Sequence, residues 1–134
     1  MANTLYTKAK EKILSGEIDF VTDTIKVSLV KNTYPQNVST DEFYTDISAY
    51  VLSTNQTLTG KSIAGGVLDG GDVTWAAVTA GDTCEAVVIW KDTGNPATSP
   101  LLLYIDTIGG FPLATNGGDI TVAWSDGAYK IFSL

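Results

Sequence analysis

Residues 86–90 read AVVIW and residues 101–105 read LLLYI, and these two short apolar runs decide the fold. Five consecutive apolar residues between turn signals are typical of strands that are buried on both faces of a sheet. The connection between the two runs contains residues 93–96, TGNP, which favour a turn. The sequence therefore predicts that residues 86–90 and 101–105 form adjacent inner strands of one β-sheet.

Glycine-rich turns separate further short strands on either side of this pair. Residues 69–72 (DGGD), 116–119 (NGGD) and 126–127 (DG) are turn sequences, because glycine adopts positive φ at little cost. Residues 25–29 alternate apolar and polar side chains, which predicts a half-buried strand. Residues 57–63 and 66–69 are expected to form a weak pair of strands around Gly65 and Gly66. Many short strands at this spacing predict a mainly β protein, a single-domain antiparallel β-sandwich or open barrel over residues 1–134.

The N-terminal residues follow a different period. Leu5, Ala9 and Ile13 recur every four residues and predict an α-helix over about residues 3–15, with a left-handed stop at Gly16. The β-core is then expected over about residues 18–134. We also expect that deletion of residues 2–15 would leave most of this β-structure in place.

Residues 31–46 form the longest stretch without a strand signal. A serine and a glutamate with capping-box spacing, Ser39 and Glu42, predict a short helix around residues 40–46. Four of the six tyrosines lie within the first fifty residues, and tyrosine is enriched at protein interfaces. Irregular segments on a rigid scaffold commonly carry binding residues, so residues 1–50 are the predicted contact surface.

Composition excludes several classes of function. The chain has 134 residues, no histidine and a net charge of −7, and all eight of its basic residues are lysines. A nucleic-acid-binding protein needs a basic surface, and an anionic membrane would repel this charge. The single cysteine, Cys84, excludes an internal disulfide. We expect a protein that is made and folded in a cytoplasm without a cleaved signal, and that has no membrane span.

No motif predicts catalysis or a cofactor. Without histidine, the usual hydrolytic triad lacks its base, and no serine lies in a nucleophile-elbow context. Calcium is the only metal with any support, from the oxygen-rich turns at residues 69–72 and 116–119, but the aspartates are better explained as turn formers. The sequence therefore predicts no catalytic residues, no cofactor and no metal site. Trp75, Trp90 and Trp124 are expected to pack in the core, with a sugar-stacking role as the alternative.

The order of segments resembles a family of small structural proteins of tailed bacteriophages and prophages. The resemblance spans nearly the whole chain and rests on the shared order of motifs that are individually weak. The matching pieces are the opening helix over residues 2–16 and then 23–27 DTIKV, 58–61 LTGK, 72–75 DVTW, 90–94 WKDTG, 98–101 TSPL, 104–106 YID, 116–119 NGGD and 130–132 KIF.

The resemblance implies a non-enzymatic virion protein that is synthesised in the host cytoplasm. A capsid decoration (cement) protein that binds and stabilises the head lattice is the preferred interpretation. A tail or baseplate component and a carbohydrate-binding module are the alternatives. The expected partner is the major capsid protein or another virion protein, with a homo-oligomer in which trimers are favoured over dimers. The residues predicted to contact a partner are Tyr6, Lys8, Lys12, Tyr34, Phe43 and Tyr44.

Overall fold

The computed structural model describes residues 4–124 and 131–133. One α-helix and eleven β-strands are defined within these residues. The helix is α1 (Thr7–Leu14). The strands are β1 (Thr4–Leu5), β2 (Ile25–Lys31), β3 (Val51–Thr57), β4 (Ser62–Ala64), β5 (Val67–Asp69), β6 (Val73–Trp75), β7 (Thr83–Lys91), β8 (Leu101–Ile105), β9 (Leu113–Ala114), β10 (Ile120–Val122) and β11 (Phe132–Ser133). The predicted fold class, mainly β with antiparallel sheets and one helix near the N-terminus, is confirmed.

The largest sheet is built around the two apolar runs. Its strand order is β1-β8-β7-β2-β3, and β9 pairs with Thr83 and Cys84 at the N-terminal end of β7. β7 and β8 pair antiparallel, with Ile89 opposite Leu103 and Val88 opposite Tyr104. All five residues of β8 are buried, as are residues 86–90 of β7. The prediction of two adjacent inner strands is therefore confirmed.

β2 is more deeply buried than its alternating pattern predicted. It lies between β7 and β3, and only Lys26 and Lys31 keep partial exposure. The expected polar position Ser28 is fully buried, where its hydroxyl accepts a hydrogen bond from Trp90 Nε1 at 2.8 Å. A serine can be buried here because its hydroxyl has a hydrogen-bond partner. The polar residue at this position is the reason why the sequence pattern predicted a half-buried strand.

The N-terminal helix is shorter than predicted and belongs to the core. Residues 4 and 5 form a strand that pairs with β8, so α1 begins only at Thr7. Tyr6 and Ala9 are fully buried, and α1 packs against β8. Gly16 has the predicted left-handed conformation, with φ of 81°. Deletion of residues 2–15 would therefore remove an edge strand and part of the core, and we now expect it to destabilise the fold.

The residues between β2 and β3, which we call the 32–50 segment, contain no strand and two short 3-10 helices, Tyr44–Asp46 and Ser48–Tyr50. The helix predicted around residues 40–46 is thus reduced to one turn at its end. The predicted cap at Ser39 is replaced by Asp46, whose Oδ2 accepts the N–H groups of Glu42 at 2.8 Å and Phe43 at 3.1 Å.

Two smaller antiparallel sheets complete the architecture. β6 pairs with β10, and β5 lies between β4 and β11. β4 and β5 form a hairpin whose turn residues Gly65 and Gly66 have φ of 60° and 77°, as the predicted pairing around these glycines requires. The predicted first strand of this pair, residues 57–63, begins only at Ser62. The hairpin predicted at residues 126–127 lies outside the described residues.

The buried apolar side chains of the described residues form one cluster that all three sheets share. No helix among those residues is long and apolar enough to cross a membrane.

Candidate interaction surface

Two of the six predicted contact residues lie inside the core. Tyr6 is fully buried and Tyr34 is 7% exposed. Their hydroxyl oxygens are 3.0 Å apart, and the Tyr34 hydroxyl donates to Asp41 Oδ2 at 2.5 Å. Burial is the largest cause of a raised pKa in both phenols, because the charged form loses its hydration. We therefore remove Tyr6 and Tyr34 from the candidate contact residues.

The two tyrosines hold the 32–50 segment against the start of α1. Besides the hydroxyl contact, the Thr7 N–H donates to the Val38 carbonyl at 2.8 Å. The Tyr34 ring also packs against the rings of Tyr50 and Tyr104, with centroids 5.6 and 6.1 Å away. Tyr6, Tyr34 and Tyr50 thus form an internal cluster rather than part of the predicted contact surface.

Lys12 joins the helix to the 32–50 segment on the outside of the molecule. Its Nζ lies 2.8 Å from Glu42 Oε2, and the two side chains are 17% and 31% exposed. The same ammonium group lies 5.3 Å from the centroid of the Phe43 ring. Phe43 is held in turn by a β-bridge to Pro100. Lys12 and Phe43, predicted separately, therefore form one continuous surface, which we call the Lys12–Phe43 surface.

Lys8 lies one turn earlier on the helix. Its ammonium group is 3.6 Å from Glu11 Oε1, and its side chain is 39% exposed. An exposed pair at this spacing contributes little to stability, so Lys8 remains available to a partner.

Tyr44 is held in place by contacts of both its hydroxyl and its ring. Its hydroxyl accepts a hydrogen bond from Asn55 Nδ2 at 2.9 Å, and its ring packs on Trp90 with centroids 4.3 Å apart. Asn55 Oδ1 accepts the Ser28 hydroxyl at 2.5 Å, which links this ring to the buried centre of the sheet. Tyr44 is half-buried, so one part of its ring is presented at a fixed angle.

The three tryptophans are core residues, as predicted. Trp75 is fully buried, and Trp90 and Trp124 are 5% and 9% exposed. Stacking on a sugar requires an exposed aromatic face, and these three tryptophans are buried. They therefore do not support the carbohydrate-binding alternative.

Two carboxylates of the oxygen-rich turns accept N–H groups from distant parts of the chain. Asp72 Oδ1 accepts the Trp124 N–H at 3.2 Å, and Asp119 Oδ1 accepts the Ala77 N–H at 2.9 Å. Within the described part of the chain, no three His, Cys, Asp or Glu residues are grouped so that they could hold a metal ion. Asp72 and Asp119 thus join the ends of the paired strands β6 and β10, rather than closing their own turns as predicted.

Sequence reasoning missed an apolar cleft of about 390 Å³ between the end of α1 and the β4–β5 hairpin. We call it the hairpin groove. Its apolar lining comes from residues distant in sequence: Ile13, Ile18, Phe20, Ile63, Leu68 and Phe132. The large apolar side chains that remain exposed among the described residues are Leu14, Val21 and Ile63. Ile63 lines this groove, and the other two directly follow lining residues along the chain.

No family model matches the chain, and no curated protein matches it.

Proposed function

We propose that this protein is a non-enzymatic structural component of a tailed-phage virion, a capsid decoration protein that binds and stabilises the head lattice. The sequence-level support is the order of segments that resembles small phage structural proteins. The structural support is a rigid β-scaffold that presents a preformed polar and aromatic surface near its N-terminus. The proposed partner is the major capsid protein or another virion protein.

The Lys12–Phe43 surface is the observation that carries this proposal. Two irregular parts of the chain, α1 and the 32–50 segment, are fixed to each other by the Lys12–Glu42 ion pair at 2.8 Å. They are also fixed from beneath by the Tyr6–Tyr34 contact. A surface that is ordered before binding loses little conformational entropy when it docks, which suits a subunit added to a lattice in many copies.

The contact residues that we retain differ in what they offer. Lys8 supplies an exposed cation, whereas Phe43 and Tyr44 are half-buried aromatic side chains. Aromatic side chains in fixed positions are common anchors of protein interfaces, and rim charges mainly affect the rate of association. We therefore propose that Phe43 and Tyr44 anchor the contact and that Lys8 steers it.

A reconstitution experiment tests this function. Purified protein is added to phage heads that lack it, and occupancy is measured by co-sedimentation and by cryo-electron microscopy. Phe43→Ala and Lys8→Glu are expected to reduce occupancy, while Lys26→Glu, which makes the same charge change on β2, keeps it. Thermal unfolding of each variant checks that the fold is intact. Full occupancy of both surface variants would contradict the proposed surface.

The same maps test the location and symmetry. Density on the head at local three-fold positions would agree with the proposed trimer, and density at two-fold positions would replace it with a dimer. Density on the tail or baseplate would replace the decoration role with the alternative virion role. Absence of the protein from the particle would contradict the proposal altogether.

A further inference from the structure

The hairpin groove has a row of apolar side chains along its floor. Phe132 on β11 lies opposite Leu68 on β5, and Leu68 lies opposite Ile63 on β4. Phe20 extends the row, because its ring centroid is 5.2 Å from that of Phe132. The row stops at Ile63, which is 54% exposed, because no strand formed by the described residues follows β4 in this sheet.

The backbone of Ile63 also faces this open edge. In an antiparallel pair, hydrogen-bonded and non-hydrogen-bonded positions alternate along the strand. The two-residue turn at Gly65 and Gly66 makes its flanking residues a hydrogen-bonded pair, so the next pair, Ile63 and Leu68, is not hydrogen-bonded. Consistent with this, the Leu68 carbonyl accepts the Ile131 N–H at 3.1 Å on its other side. The N–H and C=O groups of Ile63 therefore point away from β5, toward the open edge.

We propose that β4 and the hairpin groove bind an extended segment of another protein, which adds to β4 as a fourth strand. The segment would exchange two backbone hydrogen bonds with Ile63 and place alternate aliphatic side chains over the groove. It would also carry a lysine or arginine on the groove side, because Asp19 is the one charged residue among the described residues that line the groove. This inference concerns a different surface from the Lys12–Phe43 surface and does not rest on the virion role.

The charge at the groove argues for a different protein as the occupant rather than a second copy. A second copy that paired through its own β4 would bring a second Asp19 to the contact, and like charges that meet at an interface oppose binding. Asp19 keeps its charge at neutral pH, because hydrogen bonds to Thr22 lower its pKa. Lys61 is not among the described lining residues, and its ammonium group is directed to the Asp23 carbonyl. A basic, apolar strand therefore complements the groove better than this chain does.

Peptide binding tests the proposal. The probe is a labelled seven-residue peptide of lysine, threonine, valine, threonine, valine, threonine and lysine, so that valines and lysines share one face of the strand. Binding is followed by fluorescence anisotropy and by the amide chemical shift of Ile63. We expect saturable binding that weakens about tenfold or more with Ile63→Lys. The matched control Thr54→Lys, an exposed position on the edge strand β3, keeps the affinity.

Two modified peptides separate the parts of the interaction. N-methylation of the valines removes the backbone donor for Ile63 and is expected to abolish binding, and replacement of the lysines by glutamates is expected to weaken it about tenfold or more. Absence of binding by the parent peptide, equal binding to Ile63→Lys, or equal affinity of the methylated peptide would overturn the proposal. A dimer in sedimentation that Ile63→Lys dissociates would also overturn it, since the occupant would then be a second copy.

Discussion

The Tyr34 hydroxyl donates to Asp41 Oδ2 at 2.5 Å and lies 3.0 Å from the Tyr6 hydroxyl. This chain of three polar groups links the residue that precedes α1 to the 32–50 segment. Asp41 Oδ2 also accepts the Asn37 N–H at 3.1 Å, so the chain ends on the backbone of that segment. Its members differ in importance, because Tyr34 makes two of the contacts and Tyr6 makes one.

Removal of the two hydroxyls should therefore have unequal effects. We expect Tyr34→Phe to lower the free energy of unfolding by about 1–3 kcal/mol, because it leaves the buried Tyr6 hydroxyl without its tyrosine partner. Tyr6→Phe should cost about 0.5–1.5 kcal/mol, because Tyr34 keeps its bond to Asp41. Urea unfolding of both variants and of the double variant measures the difference. A larger loss for Tyr6→Phe would contradict this order.

Alkaline pH should destabilise the fold through the buried phenols. Burial raises the pKa of Tyr104 from 10.0 to about 12 and also raises that of Tyr6 and Tyr34. Because the pKa of each phenol is higher in the folded than in the unfolded state, its stabilising effect is complete below pH 10 and is lost as the pH rises through the folded-state pKa, which is about 12 for Tyr104. The urea midpoint should fall across this range. Absorbance at 295 nm should show that these tyrosines ionise at higher pH in the folded protein than in protein unfolded in about 8 M urea.

Identical titration curves in the two states would show that the three phenols are accessible to water, in disagreement with their burial.

The centre of the large sheet should tolerate truncation poorly. Ile89 and Leu103 are both fully buried and lie directly opposite each other on β7 and β8. We expect Ile89→Ala and Leu103→Ala each to cost about 2–5 kcal/mol in urea unfolding. The double variant should cost less than the sum, because the two truncations share one cavity. Ile63→Ala, at an exposed position on β4, is the matched control and should change stability little.

A loss below about 1 kcal/mol at both core positions would mean that β7 and β8 are not central to stability.

The single thiol should report unfolding. Cys84 is fully buried, and burial raises the pKa of its thiol from 9.0 to about 12. The reactive thiolate is therefore scarce and shielded in folded protein near neutral pH. We expect Ellman's reagent at pH 8 to label Cys84 only as fast as the protein opens, with rapid labelling in urea. Rapid labelling of the folded protein, with intact circular dichroism, would contradict this burial.

The sequence predicted the parts of the fold that depend on local pattern. The apolar runs of β7 and β8, the left-handed Gly16 and the hairpin glycines are each signalled by adjacent residues. The pairing of β1 with β8 carries no local signal, because Thr4 meets Tyr104 only through the tertiary fold. For this reason the sequence predicted a helix that begins before Thr7, and predicted that deletion of residues 2–15 would leave the β-structure in place.

The candidate sites show the same division. Lys12 and Phe43 could be proposed from residue type and segment, but their contact could not. Burial of Tyr6 and Tyr34 escaped prediction because tyrosine is found both in cores and at interfaces. The hairpin groove left no sequence signal, since its lining comes from α1, the loop after it, the β4–β5 hairpin and β11.

The strand order of the large sheet has a consequence for how the protein is made. β1 leaves the ribosome before its neighbour β8, which is complete only at Ile105. In the same way, β2 emerges before its neighbour β7. Pairings between such distant residues slow folding, because a long loop must close before they stabilise the chain. During synthesis the apolar side chains of β2 are therefore without their final cover. We therefore expect the nascent chain to be prone to aggregation until β7 and β8 have emerged.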